Sequence, residues 1–150
     1  PYTTLFRSAH DEIAAACRQR HIDVVWNEQA LEGMAASIRA GVRAYPACDA
    51  WGFFPADQPL LTGPTISRFL QQFIASGGDV GCMHNGQRRC SPALFRSSCR
   101  DELLGLFGDQ GGRRLIQSPH TWVYYPVNPV ELFDVDRRED AAAVLPFLSL

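Results

Sequence analysis

The 150-residue sequence predicts one α/β domain with a mostly parallel sheet and a β-hairpin inserted in it. Three observations carry that expectation. Short β-rich runs alternate with helix-periodic segments in the first half, the pattern of βαβ units. Asn85-Gly86 marks a hairpin between two strand-like runs. Apolar residues make up 46% of the chain, enough for a real core.

Taken in order, "AHDEIAAACRQR" (Ala9–Arg20) sets Ile13, Ala16 and Cys17 at helical spacing and predicts a short helix. "IDVVW" (Ile22–Trp26) predicts a strand, and Asn27 begins a turn. Leu31, Met34, Ala35, Ile38 and Val42 fall on one helix face, with Pro46 just past the end. "ACDAWGFF" predicts a buried strand ending near Phe54. "GPTISRFLQQFIAS" is a helix with Pro64 in its first turn and Ile66, Phe69, Leu70 and Phe73 as its apolar face; Gly77-Gly78 ends it. "DVGCMH" and "CSPALF" flank "NGQRR", where Asn85-Gly86 predicts a type I′ turn with positive φ at both residues. Helices over Ser98–Phe107 and Gln110–Gln117 follow. Short strands in "TWVYYPV" and "ELFDV" come next, then a final helix, "REDAAAVLPFL", interrupted by Pro146.

Composition narrows the partners. A formal net charge of −2 gives no basic footprint for nucleic acid. No apolar run reaches the ~18–20 residues of a membrane span, and no secretory signal is visible. Five cysteines without C-x-x-C spacing read as reduced thiols of a cytoplasmic protein. There is no Lys, so no P-loop or Schiff-base lysine lies within this chain. The opening "PYTTLFRS" lacks a Met and looks like sequencing-adapter sequence read through as protein, so residues 1–8 are expected to be foreign. The plainer alternative is an ordinary strand or loop.

Two acidic segments stand out. Asp57 follows the apolar run "WGFFPA" and precedes Gln58-Pro59. Ligands of open α/β sheets sit beyond the carboxyl ends of strands. A carboxylate there can hold Mg²⁺, with phosphates and waters completing the octahedron. The structural alternative is that Asp57 caps the next helix or makes an Asx-turn. In "ELFDVDRRED", Asp134 and Asp136 face one side of an extended strand. They would repel unless a cation, or Arg137 and Arg138, lies between them. Alternatively Asp136 is the N-cap of the last helix, with Glu139 completing a box-like pattern.

"NEQALEGMAASIRAGV", "FFPADQPLL", "HNGQRRCSPALF", "GDQGGRRLI" and "LFDVDRRED" occur in that order. Together they resemble the MobA/MocA-like nucleotidyltransferases, most closely the molybdenum cofactor cytidylyltransferase branch, over about Asp23 to Asp140. The resemblance implies a Rossmann-like three-layer nucleotidyltransferase fold. It implies transfer of a nucleoside monophosphate, CMP from CTP, onto a phosphorylated molybdopterin-type acceptor, with release of pyrophosphate. Asp57 and Asp136, or else Asp134, match the positions near a catalytic Mg²⁺. Gly33, Met34 and Ser37 match a segment lining the nucleotide pocket, where Gly33 would let backbone approach the ligand and free amides at the helix start would suit phosphate. His84, Ser91, Arg113 and Arg114 are the implied acceptor-binding residues, the arginines gripping phosphate through their planar forks. In "GDQGGRR", Asp109 as an N-cap is the structural alternative. A molybdoenzyme or its chaperone is the implied partner.

The chain departs from the family in three places. Cys90-Ser91-Pro92 stands where many members have Gly-His-Pro or Gly-Asn-Pro, which bears on acceptor recognition. "DRRED" replaces Asp-Thr-Pro-Glu-Asp and loses the helix-starting Pro. The family's first strand, its loop of the type L-A-A-G-x-x-x-R-M-G and a following Lys have no counterpart. Residues 9–150 are therefore expected to be the C-terminal two-thirds to three-quarters of one NTP-transferase domain, inactive alone. The competing expectations are a guanylyltransferase or other NTP transferase of this fold, a nicotinamide-dependent oxidoreductase relative, or a non-catalytic cofactor-binding module.

Overall fold

The computed structural model describes residues 5–8 and 11–148. The chain forms two compact units, Pro1–Trp51 with Ser97–Arg114, and Gly52–Arg96 with Leu115–Leu150.

In the first unit, β1 (Leu5–Ser8) pairs in parallel with β2 (Asp23–Trp26), and α1 (Asp11–Gln19) connects them. Parallel neighbours need such a crossover. The expected foreign octet thus includes β1; its other residues, like the first two of the expected Ala9–Arg20 helix, lie outside the described residues. Helix α1 buries Ala14 and Cys17, one turn apart, and leaves Ile13 at 41% exposure, so its inner face is rotated from the expected one.

The helix expected from Leu31 begins later, as α2 (Met34–Ala44), after a 3₁₀ turn at Ala30–Glu32. Gly33 separates them at φ 92°, a conformation L side chains disfavour. Leu31 precedes that break and is fully exposed, and Met34 is mostly exposed; Ala35, Ile38 and Val42 form the buried face. A Cβ on Gly33 would collide with the Asp109 carboxylate and lie 2.9 Å from Gly108 O. A Cβ on Gly111, at φ 50°, would lie 2.6 Å from Met34 Sδ. The motifs "LEGM" and "GDQGG" therefore interlock through bare backbone. Arg39 of α2 adds a tie, donating to Leu106 O at 2.6 Å and pairing with Glu32 at 2.8 Å. The two long helices expected here are shorter: turns at Ser97–Cys99 and Gly108–Gln110, α4 (Arg100–Leu104) and α5 (Arg113–Ile116). Gly108 and Gly111 at positive φ break the run. Asp109 lies inside a turn capped by Phe107 and is not itself an N-cap.

The second sheet has the order β3 (Ala50–Phe53), β5 (Arg89–Arg96), β4 (Val80–His84), β6 (Trp122–Tyr124). β4 runs antiparallel to β5 and parallel to β6. The α/β class and the hairpin are as expected. β3 is only half buried, with Trp51 inside between exposed Ala50 and Gly52, so it is not the fully buried strand its apolar run suggests. The hairpin turn also differs. Gly86 has φ 94°, but Asn85 keeps a negative φ. Asn85 Oδ1 instead accepts from Gln87 N and Arg88 N at 3.0 Å each, and Asn85 N donates to Arg88 O. This is a four-residue loop built on an Asx turn, not a type I′ turn.

Helix α3 (Gly63–Ser76) has its expected bounds: Thr62 is the N-cap, accepting from Thr65 N, Pro64 sits in the first turn, and Gly77 ends it in the left-handed region. Phe69 and Phe73 pack with Met83, Leu94, Tyr124 and Leu132 as the unit's core. "ELFDV" is not a strand. Pro129–Leu132 is a 3₁₀ turn capped by Asn128, and an irregular segment follows. Pro129 and the Asn128 cap favour the turn locally. Glu131 from this turn accepts from Thr62 N at 3.0 Å, Thr62 Oγ1 at 2.8 Å and Thr65 Oγ1 at 3.0 Å, placing a carboxylate at the start of α3. Helix α6 (Arg138–Leu148) runs through Pro146 in its last turn, where one intrahelical bond is lost. Its third residue, Asp140, accepts from Asp136 N and Arg137 N at 3.2 and 2.9 Å. Asp136 is thus not the N-cap, and the boxing acid is Asp140 rather than Glu139.

Three outcomes follow from this packing. Gly33→Ala should lose about 2–4 kcal/mol in urea unfolding, whereas Gly63→Ala, with open space around it, should be nearly neutral. Glu131→Ala should cost about 1–3 kcal/mol by removing a charged acceptor from three donors. Burial pushes the Cys82 thiol from 9.0 up to about 11. The folded state then keeps a proton that the unfolded chain releases, so stability should fall as pH rises from 9 towards 11. Cys82→Ala should flatten that part of the stability curve.

Candidate active site

In the second unit, β3 ends at Phe53 and the chain turns through Pro55-Ala56-Asp57-Gln58-Pro59. The prolines stiffen this turn. Asp57 is exposed, and its carboxylate has no partner among the described residues. It does not cap α3, because Thr62 and Glu131 do. Its carbonyl accepts from Val135 N at 2.8 Å, which lays the turn beside the segment Asp134-Val135-Asp136. Gln58 is 6% exposed and ties the same two segments. Its Nε2 donates to Asp134 Oδ1 at 2.9 Å and to Ser91 O at 3.3 Å, while its Oε1 is buried without a partner. Asp134 and Asp136 are exposed.

These groups fit a hard cation. Every donor is oxygen, two free carboxylates belong to adjoining segments, and a buried acceptor is unfilled. Among the described residues no cluster of three or more His, Cys, Asp or Glu gathers for a metal. Mg²⁺ fits such a sparse site, since it uses one or two carboxylates and keeps its waters.

His84 ends β4, and its Nδ1 accepts from Gly86 N at 3.0 Å, which places the ring proton on Nε2. Its ring lies 4.8 Å from that of Tyr125, which is 65% exposed just beyond β6. β4 and β6 are parallel neighbours, so this aromatic pair stands at their carboxyl ends. Tyr125 was not among the residues expected from the sequence; only its position after a strand end could have flagged it. Ser91 lies on β5, and its carbonyl is occupied by Gln58.

In the first unit, Gly33 N turns back to Ala30 O at 3.4 Å, and the close approach at Gly33 is made by Gly108-Asp109. The backbone that approaches Gly33 is thus the chain's own, and the Gly33 amide is engaged. Ser37 Oγ, one turn on, is buried without a partner. Arg113 and Arg114 are exposed at the start of α5 and form no ion pair among the described residues. A groove of about 420 Å³ lies between the end of β2 and the last turns of α2. Exposed Trp26 and Arg43 line it, together with Asn27. Asn27 is 5% exposed, its Oδ1 accepts from Gln29 N at 3.1 Å, and its Nδ2 is unpartnered. The sequence marked Asn27 only as a turn residue, although an amide just past a parallel strand is a position ligands use.

A family model described as the MobA-like NTP transferase domain matches residues 4–122. No curated protein is significantly similar. Among solved structures, the molybdopterin-guanine dinucleotide biosynthesis protein A of Archaeoglobus fulgidus superposes with a TM-score of 0.75 at 16% identity, over 99% of this chain and 80% of that one. The manganese complex of Rv0371c from Mycobacterium tuberculosis H37Rv gives 0.71 at 24% identity, over 97% and 76%. An Rv0371c homologue from Mycobacterium sp. strain JC1 gives 0.73 at 18% identity, over 96% and 73%. At these identities the likeness is one of fold. Among the described residues no helix is long and apolar enough to cross a membrane. With the family model spanning most of its length, the chain belongs to the MobA-like NTP transferase domain family.

Proposed function

We propose that this chain carries metal-, nucleotide- and acceptor-binding residues of a nucleotidyltransferase that moves CMP from CTP onto a phosphorylated molybdopterin-type acceptor. A phosphate oxygen of the acceptor forms a bond to the α-phosphorus, and the bond from that phosphorus to pyrophosphate breaks. The observation that carries the reading is the junction of Asp57 with Asp134–Asp136 beyond a strand end, with the Asp57 carboxylate unpartnered. Asp57 and Asp136 hold Mg²⁺, and the bound ion supplies charge neutralisation on the phosphates. The Gly33–Met34–Ser37 segment lines the nucleotide, with Ser37 Oγ an unengaged donor. Arg113 and Arg114 grip the acceptor phosphate, and His84 Nε2–H and Ser91 meet the rest of the acceptor. Positioning and charge account for most of the rate. We place the reaction in the cytoplasm, with a molybdoenzyme or its chaperone receiving the product.

One comparison favours a second base: the Archaeoglobus relative is named for a guanine dinucleotide. In a transfer-competent protein carrying this chain, Asp57→Asn should lower turnover at least on the order of 10²–10³-fold with unchanged circular dichroism. Near-normal turnover would refute the metal role. In the same assay, CTP and GTP offered together should give mostly the cytidylyl product; a guanylyl product would move the assignment to the second base.

A further inference from the structure

We infer that Gln58 is a positioning residue of the acidic site, holding Asp134 as a strut and leaving Asp57 and Asp136 to face the cation. The inference rests on the metal reading above and deepens it. Gln58 is nearly fully buried, where an amide must spend its hydrogens on acceptors. It does so on Asp134 Oδ1 at 2.9 Å and Ser91 O at 3.3 Å. Reversing the amide would set its oxygen against two other acceptor oxygens, so its orientation is determined.

The same amide spans three segments: its own turn beside Asp57, strand β5 at Ser91, and the acidic segment at Asp134. The bond from Val135 N to Asp57 O lies alongside it, between the neighbours of both residues. Asp134 thus has one oxygen committed to a neutral donor. The carboxylates of Asp57 and Asp136 accept no hydrogen bond among the described residues. Gln58 Oε1 is buried beside these bonds and accepts none among the described residues. Gln58 bonds directly to neither the Asp57 nor the Asp136 carboxylate; through Asp134 and Ser91 it holds in place the segments that carry them. Groups that support a metal's ligands without touching the metal change its affinity by about 10–100-fold when removed.

The test is Mn²⁺ binding to the full 150-residue chain, followed by the electron paramagnetic resonance of free Mn²⁺. Asp57→Asn and Asp136→Asn should each weaken binding about tenfold or more. Gln58→Met, of similar volume but with no donor, should weaken it about tenfold with unchanged circular dichroism. Asp134→Asn keeps an acceptor oxygen for Gln58 and should bind within about twofold of the native chain, whereas Asp134→Ala should match Gln58→Met. If Asp134→Asn weakens binding as much as Asp57→Asn, Asp134 is itself a ligand and the strut assignment falls. If Gln58→Met and Asp134→Ala bind like the native chain while Asp57→Asn does not, the positioning role falls and the metal reading stands. Native-like binding by Asp57→Asn, or none by the native chain, overturns the metal reading and this inference with it. Should Gln58→Met fail to fold, the two Asp134 variants decide alone, because that side chain is exposed.

Discussion

A seam between the turn after β3 and the segment Glu131–Val135 holds the second unit's chemistry together. Glu131 takes the start of α3 through Thr62 and Thr65, Asp134 takes Gln58, and Val135 takes the Asp57 carbonyl. Between these contacts Leu132 is buried in the core with Phe69, Met83 and Tyr124. The apolar anchor places the segment, and the polar groups around it then meet donors that have few alternatives. Neither segment is a strand, so side chains and single amides stand in for a β-ladder. Bonds to carboxylates are the stronger class of hydrogen bond, and here they join residues 66–76 positions apart.

The first unit is organised by absence of side chains. Gly33 meets Gly108-Asp109, and Gly111 meets Met34, at distances a Cβ would forbid. Two of the motifs that resemble the family are therefore packing partners before they are anything else. Polar groups with unfilled capacity follow in the same unit: Ser37 Oγ on α2, the exposed Arg113 and Arg114 after Gly111, and Asn27 Nδ2 just past β2.

The departures from the family pattern acquire physical content in this frame. In Cys90-Ser91-Pro92, the Ser91 carbonyl serves the Gln58 amide, so this triplet bears on the acidic site through backbone. In "DRRED" the missing helix-starting Pro is offset by Asp140, which takes up two amides at the start of α6. Both segments keep a structural task whatever acceptor the site recognises.

By itself the sequence determined what local chemistry determines. Pro64 and Gly77 bound α3, the alternation of β-rich and periodic runs marked the α/β class, and Asp57 could be placed beyond a strand end. Caps, fixed φ angles and periodicity act over a few residues and are legible in order. Tertiary structure decided the rest. "ELFDV" has a strand's composition, yet Pro129 and the pull of Leu132, Glu131 and Asp134 towards distant partners make it a turn and a seam. The α2 start moved from Leu31 to Met34 because Gly33 had to meet Gly108 and Asp109, 75 or so residues away in the chain. Gln58 and Asn27 look like surface amides in sequence, and only packing shows them buried with one atom each unfilled. Burial and long-range partners are properties of the folded neighbourhood, and the unfilled atoms that point to function exist only there.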